Sequence, residues 1–175
     1  MKASRLIPLL VLLVSTIGAM AQIGLYGEFS AAKPNIPQVG WIYGPTFGVY
    51  YDPWHLPFLA AGLDARGEFL GSGTNKLDSG LFGPRLVFQP HVLPFQPYAE
   101  GLVGMGHAVY PNQTGQGTTT VTATEFEYQF LGGLDLTVFP RVDWRVVEFS
   151  YGGLSGLGNS YNPFTLSTGL VVRLP

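Results

Sequence analysis

The chain has 175 residues, a formal net charge of −2 and no cysteine, and only 11% of its residues are charged, well below the quarter that is typical of soluble domains. Its 24 glycines and 14 prolines disfavour long helices, because both residues are costly in a helix interior. The acidic balance offers no basic surface for nucleic acid, and the fold must be stable without disulfide bonds.

Residues 1–21 have the pattern of a secretory signal peptide. Lys2 and Arg5 precede an apolar run, and small residues precede a cleavage site near Ala21. The uncharged run is shorter than the roughly 20 apolar residues that a helical membrane span needs. We therefore expect a mature domain of residues 22–175, whose net charge changes from −2 to −4 with the loss of the two cations.

Eight segments of the mature chain alternate apolar and polar residues with the period of two that is typical of β-strands. In the third segment, Leu63 and Phe69 share one face, whereas Asp64, Arg66 and Glu68 share the other. One face of each strand is therefore apolar, and the other carries the charges. In chain order, the predicted strands are residues 22–30, 41–51, 58–69, 80–89, 95–109, 123–138, 142–152 and 164–174.

The seventh predicted strand breaks its own alternation. Asp143 and Arg145 lie on one face, whereas Glu148 and Ser150 have the opposite parity. A β-bulge near residues 146–147 would turn all four polar side chains to the same face, because a bulge inserts one residue and re-aims those that follow.

The connectors between the predicted strands alternate in length. Long ones follow strands one, three, five and seven (residues 31–40, 70–79, 110–122 and 153–163), and short, proline-rich ones follow strands two, four and six (residues 52–57, 90–94 and 139–141). Long external loops and short periplasmic turns are typical of outer-membrane barrels. The pattern predicts an all-β, eight-stranded antiparallel up-and-down transmembrane β-barrel, surrounded by the lipid of the bacterial outer membrane.

Aromatic residues cluster at both ends of the predicted strands, where amphipathic rings favour the level of a membrane interface. One predicted band lies beside the short turns and the other near the long loops. The first contains Trp54, Phe58, Phe95, Phe139 and Trp144, and the second Phe29, Trp41, Tyr43, Phe69, Tyr151 and Phe164.

Three stretches resemble small outer-membrane β-barrel proteins of the outer-membrane-protein-A and outer-membrane-protein-X kind. They are residues 132–145, residues 165–174, and Pro97-Tyr98 with the glycines at 101, 104 and 106. The resemblance implies the same barrel fold, which is shared by proteins of many functions. Such proteins usually end in an aromatic residue that serves as an assembly signal, whereas Leu174 and Pro175 end this chain.

The residues indicate no catalytic, cofactor or metal site. His55 and His91 lie in short turns, and the histidines are too scattered to converge on zinc. His107 lies near the outer end of strand five, a place similar to that of the catalytic histidine in small barrel hydrolases. A serine nucleophile needs a neighbouring base, and no serine lies within two residues of His107.

The inward-facing charges are the remaining candidate site. An eight-stranded barrel is only wide enough to be filled by its own side chains, so a charge in its lumen must be paired. We expect an ion-pair plug, with a narrow or gated polar path as the alternative. The predicted lumen charge network comprises Glu28, Asp64, Arg66, Glu68, Arg85, Glu100, Glu127, Asp135, Asp143, Arg145, Glu148 and Arg173.

These features favour a non-enzymatic, monomeric barrel with a structural role or a role in surface interaction, exercised through four external loops that meet an extracellular ligand or partner. One alternative is a small channel or a carrier of hydrophobic molecules. Another is a soluble secreted barrel of the lipocalin type, in which the apolar residues would face inward and the charges outward.

Overall fold

The computed structural model describes residues 22–35, 39–90, 93–114, 117–156 and 159–174, so the predicted signal peptide and His91 lie outside the described residues. Among these residues, no helix is long and apolar enough to cross a membrane. The strands are β1 (Gln22–Lys33), β2 (Ile42–His55), β3 (Leu59–Ser72), β4 (Asn75–Phe88), β5 (Phe95–Thr114), β6 (Gly117–Phe139), β7 (Val142–Gly156), β8 (Asn159–Tyr161) and β9 (Phe164–Leu174).

Eight of these strands close into one antiparallel barrel. Each strand from β1 to β6 pairs with the next along the chain, and β9 pairs with both β7 and β1. Among the described residues, the short β8 pairs with the end of β7 alone. A closed ring satisfies the backbone hydrogen bonds of its wall, which a lipid environment requires. The predicted eight-stranded up-and-down architecture is confirmed.

The barrel has two distinct ends. The turn end carries the connectors after β2, β4 and β6, together with the start of β1 and the end of β9. The hairpin end carries the connectors after β1, β3, β5 and β7. At the turn end, β6 and β7 are joined by Pro140 and Arg141 alone, and Arg141 has a φ of 72°, a conformation that tight hairpin turns demand.

Side chains alternate between the two faces of the wall, as the period of two predicts. In β3, Leu63 and Phe69 are 55% and 52% exposed, whereas Asp64 and Arg66 are 1% and 5% exposed. The same alternation of burial runs through β1, β2, β4 and β9. The lipocalin-type alternative is therefore wrong for the described residues, because most of their large apolar side chains are exposed on the outer face and the predicted charge network faces inward.

The predicted bulge in β7 is confirmed. Leu134 of β6 pairs with Val147, and the next residue, Asp135, pairs with Arg145, which leaves Val146 as the extra residue. Pairing with β9 shifts between Arg145 and Glu148. The bulge therefore places Arg145 and Glu148 on the inner face together.

The strands at the hairpin end are longer than the sequence predicts, and three of the predicted loops are largely wrong. In the predicted loop 153–163, residues 153–156 continue β7 and residues 159–161 form β8. Residues 70–79 belong almost wholly to β3 and β4, which are joined by a turn at Gly73 and Thr74, with a φ of 62° at Gly73. Residues 110–114 and 117–122 continue β5 and β6. Glycine, threonine and asparagine are typical of loops, but antiparallel pairing continues through them because each strand meets its neighbour in register.

The aromatic residues of both predicted bands lie on the outer face. At the turn end, Trp54 is 51% and Phe139 is 66% exposed. At the hairpin end, Phe29 stacks on Tyr43 of the neighbouring strand, with 6.3 Å between ring centroids. Rings of this kind are stabilised where an apolar surface meets water, so the two bands mark the levels at which the wall leaves the lipid.

Candidate functional site: the lumen charge network

Inward-facing polar side chains from every strand of the wall fill much of the barrel interior, beside buried apolar clusters. Eleven of the twelve predicted members of the lumen charge network are buried, and the side chain of the twelfth, Arg173, is 21% exposed. The period of two places these side chains inside, and the pairing register sets their depth along the barrel.

Arg66 of β3 joins three strands. Its Nη1 donates to Glu148 Oε1 at 2.6 Å, its Nη2 to Glu100 Oε2 at 2.8 Å, and its Nε to Asp64 Oδ1 at 3.2 Å. Asp64 also accepts a hydrogen bond from the Tyr26 hydroxyl at 2.8 Å. Arg66 thus neutralises carboxylates from both sides of the lumen.

Arg145 is the most enclosed of the arginines, with a side chain that is 0% exposed. It donates to Glu28 Oε1 at 2.5 Å and to both carboxylate oxygens of Asp135, at 2.9 and 3.2 Å. It also lies 3.3 Å from Glu148 Oε2, so Glu148 bridges Arg145 and Arg66. These contacts depend on the β7 bulge that turns Arg145 and Glu148 inward.

Arg85 of β4 completes the centre of the network. It is hydrogen-bonded to Glu100, which it shares with Arg66, and its Nη2 lies 3.4 Å from Asp135 Oδ2, which it shares with Arg145. Shared carboxylates connect the three arginines into one continuous cluster. Each of the five carboxylates of this cluster contacts at least one guanidinium, although the carboxylates outnumber the arginines.

Three inward tyrosines pack against the guanidinium groups. Arg85 lies 4.3 Å from the ring centroid of Tyr50 and 4.2 Å from that of Tyr98, and Arg145 lies 4.4 Å from Tyr26 and 4.5 Å from Tyr98. Cations over aromatic faces at this distance are stabilised when they are desolvated. The sequence places the tyrosines on the inner face but does not reveal these contacts.

Glycines on neighbouring strands make room for the tyrosine rings. Tyr26 pairs with Gly48 and Tyr98 with Gly133. A Cβ atom at Gly48 would lie 2.3 Å from the Tyr26 ring, and one at Gly133 would lie 2.3 Å from the Tyr98 hydroxyl. An inward glycine opposite an inward tyrosine is therefore a signal that sequence inspection could have used.

Asp52 is a member of the network that the sequence analysis missed. It was assigned to a short turn, but β2 continues to His55 and its pairing shifts between Tyr51 and Trp54. Asp52 is 1% exposed, and its Oδ2 lies 3.7 Å from Arg85 Nε. Asp52 continues the inward alternation of Thr46 and Tyr50, and the shift of register lies beyond it, where it turns Trp54 outward. The sequence analysis missed Asp52 because it ended the strand at residue 51.

The network changes character toward the two ends. At the turn end, Arg173 Nη2 donates to Asp143 Oδ1 at 2.9 Å, and its Nε lies 2.9 Å from Asp143 Oδ2. At the hairpin end, Glu68 and Glu127 both accept hydrogen bonds from Gln129, and Glu127 also accepts one from Ser79 at 2.5 Å. Within the described residues, neither of these two glutamates forms an ion pair, so amide and hydroxyl donors hold them.

The packed network predicts that the barrel does not conduct ions. Purified protein in a planar lipid bilayer is expected to show no steady, reproducible conductance, because the side chains of Arg66, Arg85 and Arg145 fill the cross-section together with their partners. A large open porin in the same bilayers is the positive control. Discrete open states that disappear on replacing Arg66 or Arg85 would contradict the prediction and favour a channel.

His107 lies outside the network. It is exposed on the outer face at the hairpin end, and its Nδ1 is 2.9 Å from Thr124 Oγ1. In the backbone register it faces Asp78 on one side and Thr124 on the other. The structure thus gives His107 a threonine as its described side-chain partner.

A closed antiparallel barrel of eight strands, apolar outside and charged inside, is the fold of a transmembrane β-barrel protein. No family model and no curated protein matches this chain. Solved structures do match. Neisserial surface protein A is similar with a TM-score of 0.55 and 14% identity, over 88% of this chain and 97% of that one.

Two further outer-membrane proteins are similar at lower scores. One is the attachment invasion locus protein Ail of Yersinia pestis, in complex with a heparin analogue, with a TM-score of 0.48 and 16% identity over 88% of this chain and 97% of that one. The other is the N-terminal β-barrel domain of Pseudomonas aeruginosa OprF, with a TM-score of 0.48 and 12% identity over 89% of this chain and 100% of that one. The match to Neisserial surface protein A confirms the predicted small-barrel fold, and at this identity it shows the fold alone.

Proposed function

We propose that this chain is a non-enzymatic, monomeric protein of the bacterial outer membrane, exported by a signal peptide that is cleaved near Ala21, and that it binds an extracellular partner through the hairpin formed by β5 and β6. The hairpin end then faces the cell exterior and the turn end the periplasm. The lumen charge network serves as an internal scaffold.

The outer surface supports the membrane location. Its exposed large side chains are apolar in every strand of the wall, for example Leu25 at 47%, Phe82 at 62% and Phe130 at 67% exposure. A soluble monomer rarely exposes a contiguous apolar patch larger than a few hundred Å². Lipid is the surrounding that stabilises such a surface, with the two aromatic bands at its edges.

The length of the β5–β6 hairpin carries the proposal of a surface role. β5 has 20 residues and β6 has 23, whereas a tilted strand crosses a bilayer with about 9–11. In the described residues, pairing of β5 with β4 ends at Val109, and pairing of β6 with β7 ends at Phe126. Beyond those points, β5 and β6 pair with each other up to Thr114 and Gly117. The hairpin therefore projects beyond the ring.

The projecting part of β6 has the chemistry of an edge that can accept another strand. Residues 117–125 read Gly-Thr-Thr-Thr-Val-Thr-Ala-Thr-Glu, which is rich in β-branched residues and has neither lysine nor proline. Natural sheets protect exposed edges with lysine, proline or bulges. An unprotected edge offers backbone donors and acceptors to an extended polypeptide, the mode known as β-augmentation.

Shortening this hairpin tests the proposal. Residues 111–120 are removed, and residues 110 and 121, which are paired in the barrel, are joined by Asn-Gly as a two-residue turn. The barrel is expected to fold as before, with unchanged heat-modifiable migration in gels, because no pairing with β4 or β7 is lost. Cells that display the intact barrel are first tested for adhesion to immobilised proteins and to cell layers. Cells that display the shortened barrel are expected to lose adhesion to the surfaces that retain the former.

A full-length variant tests whether adhesion depends on the strand edge or only on the length of the hairpin. Thr118→Lys with Thr120→Lys keeps the hairpin but charges its edge, so adhesion should fall as it does for the shortened barrel. Adhesion that survives the lysines and is lost on shortening would mean that the contact does not use the strand edge. A shortened chain that no longer folds would make the hairpin structural and remove the main support for a surface role.

A further inference from the structure

The lumen becomes apolar between the charge network and the hairpin end. Inward-facing side chains from β2, β3, β4 and β7 form one buried cluster there, with Ala32 and Val39 beside them. The four are Ile42, Leu70, Leu77 and Leu154, each at most 5% exposed. Interiors of transmembrane barrels are generally polar, so an apolar layer between the lumen charge network and the hairpin end is unexpected.

This apolar layer is not completely filled. It borders a partly enclosed cavity in which a water-sized sphere can be centred over about 30 Å³, within about 440 Å³ of free space that includes the mouth. The first volume measures the enclosed space and is far below the roughly 300–1,000 Å³ of a site that holds a whole small molecule, so the cavity has room for the end of a slender chain. Leu77, Ala108 and Leu154 belong to its apolar lining, and Asn75, Lys76 and Glu125 to its polar lining.

The apolar layer lies next to the charge network. A Cβ atom built at Gly106 would lie 2.8 Å from Leu154 Cδ2 and 2.4 Å from Glu127 Oε2, so both border the inner face of β5 at Gly106. Glu127 already accepts hydrogen bonds from Ser79 and Gln129. Glu127 is thus held within the charge network, whereas the polar group of a ligand can meet Asn75 or Lys76 in the lining.

We propose that this cavity binds the end of the hydrocarbon chain of a single-chain amphiphile that enters from the hairpin end with its methyl group first. An apolar lining stays poorly hydrated and favours apolar atoms over water. The narrow inner part admits a slender chain rather than a ring, because a cavity that accommodates benzene measures about 150 Å³. The site is independent of the β5–β6 edge, which binds by backbone hydrogen bonds.

Single thiols can test this site, because the chain has no cysteine of its own. Ala108→Cys places a thiol in the cavity, and Thr74→Cys places one in the exposed turn between β3 and β4. Both mature variants are reconstituted in lipid nanodiscs and treated with hexyl methanethiosulfonate or with its charged trimethylammonium-ethyl analogue. For each position, the rate of modification by the hexyl reagent is divided by the rate for the charged reagent. Comparing this ratio between positions 108 and 74 cancels partitioning of the reagent into lipid.

The ratio at position 108 is expected to exceed that at position 74 by about tenfold, which corresponds to burial of about two methylene groups. Added 1-octanol is expected to slow modification at position 108 and leave position 74 unchanged. Equal ratios, or no protection by octanol, would overturn the proposal. A thiol at position 108 that reacts with neither reagent in a correctly folded barrel would overturn it too, because the cavity would then be closed or filled by membrane lipid.

Discussion

Replacing Leu63 with arginine is expected to lower the free energy of unfolding in bilayers by about 2–4 kcal/mol, the cost of a cationic side chain on the lipid face near the mid-plane. Leu63 is 55% exposed on the outer face of β3. It lies between Phe58 and Phe69, which belong to the aromatic bands of the two ends. Its side chain therefore meets hydrocarbon, where a guanidinium loses its hydration.

Reversible denaturant titration in phospholipid vesicles, followed by tryptophan fluorescence, measures this effect. Thr74→Arg is the matched control, because Thr74 lies in an exposed turn where an arginine remains in water, and its cost should be close to zero. Equal stabilities for the two variants would show that β3 is not surrounded by lipid. A spin label at Leu134 that reports water, with one at Asp135 that reports lipid, would reverse the assigned faces.

Replacing Arg145 with methionine is expected to cost about 3–5 kcal/mol of folding free energy, because it leaves buried carboxylates without their cation. Methionine is long, unbranched and apolar, so the loss of charge dominates over the loss of volume. Glu28, Asp135 and Glu148 would each lose a contact to the guanidinium. The same vesicle titration measures the change.

Arg173→Met is the matched comparison for Arg145. Its side chain is 21% exposed and forms its ion pair with Asp143 alone among the described residues, so the expected cost is at most about 1 kcal/mol. Similar costs for Arg145 and Arg173 would mean that the buried network adds little to stability. A cost confined to Arg145 would support its role as the internal scaffold of the barrel.

The sequence predicts the barrel and the direction of its side chains because strand geometry repeats every two residues. Asp64, Arg66 and Glu68 share a face because they are two residues apart in one strand. The change of parity between Arg145 and Glu148 indicates the bulge. Alternation weakens where both faces meet water. For this reason, residues 70–79 and 110–122 were assigned to loops, although β3, β4, β5 and β6 continue through them.

The sequence by itself determined the strand number, the inner and outer faces and most members of the charge network, because these follow from local periodicity. Only the tertiary structure decided which members meet. Arg145 reaches Glu28 from 117 positions away, and Asp52 reaches Arg85 because β2 continues past residue 51. The apolar layer likewise needs Leu70, Leu77 and Leu154 at one depth. Depth depends on the stagger between paired strands, and that is set by closure of the whole ring.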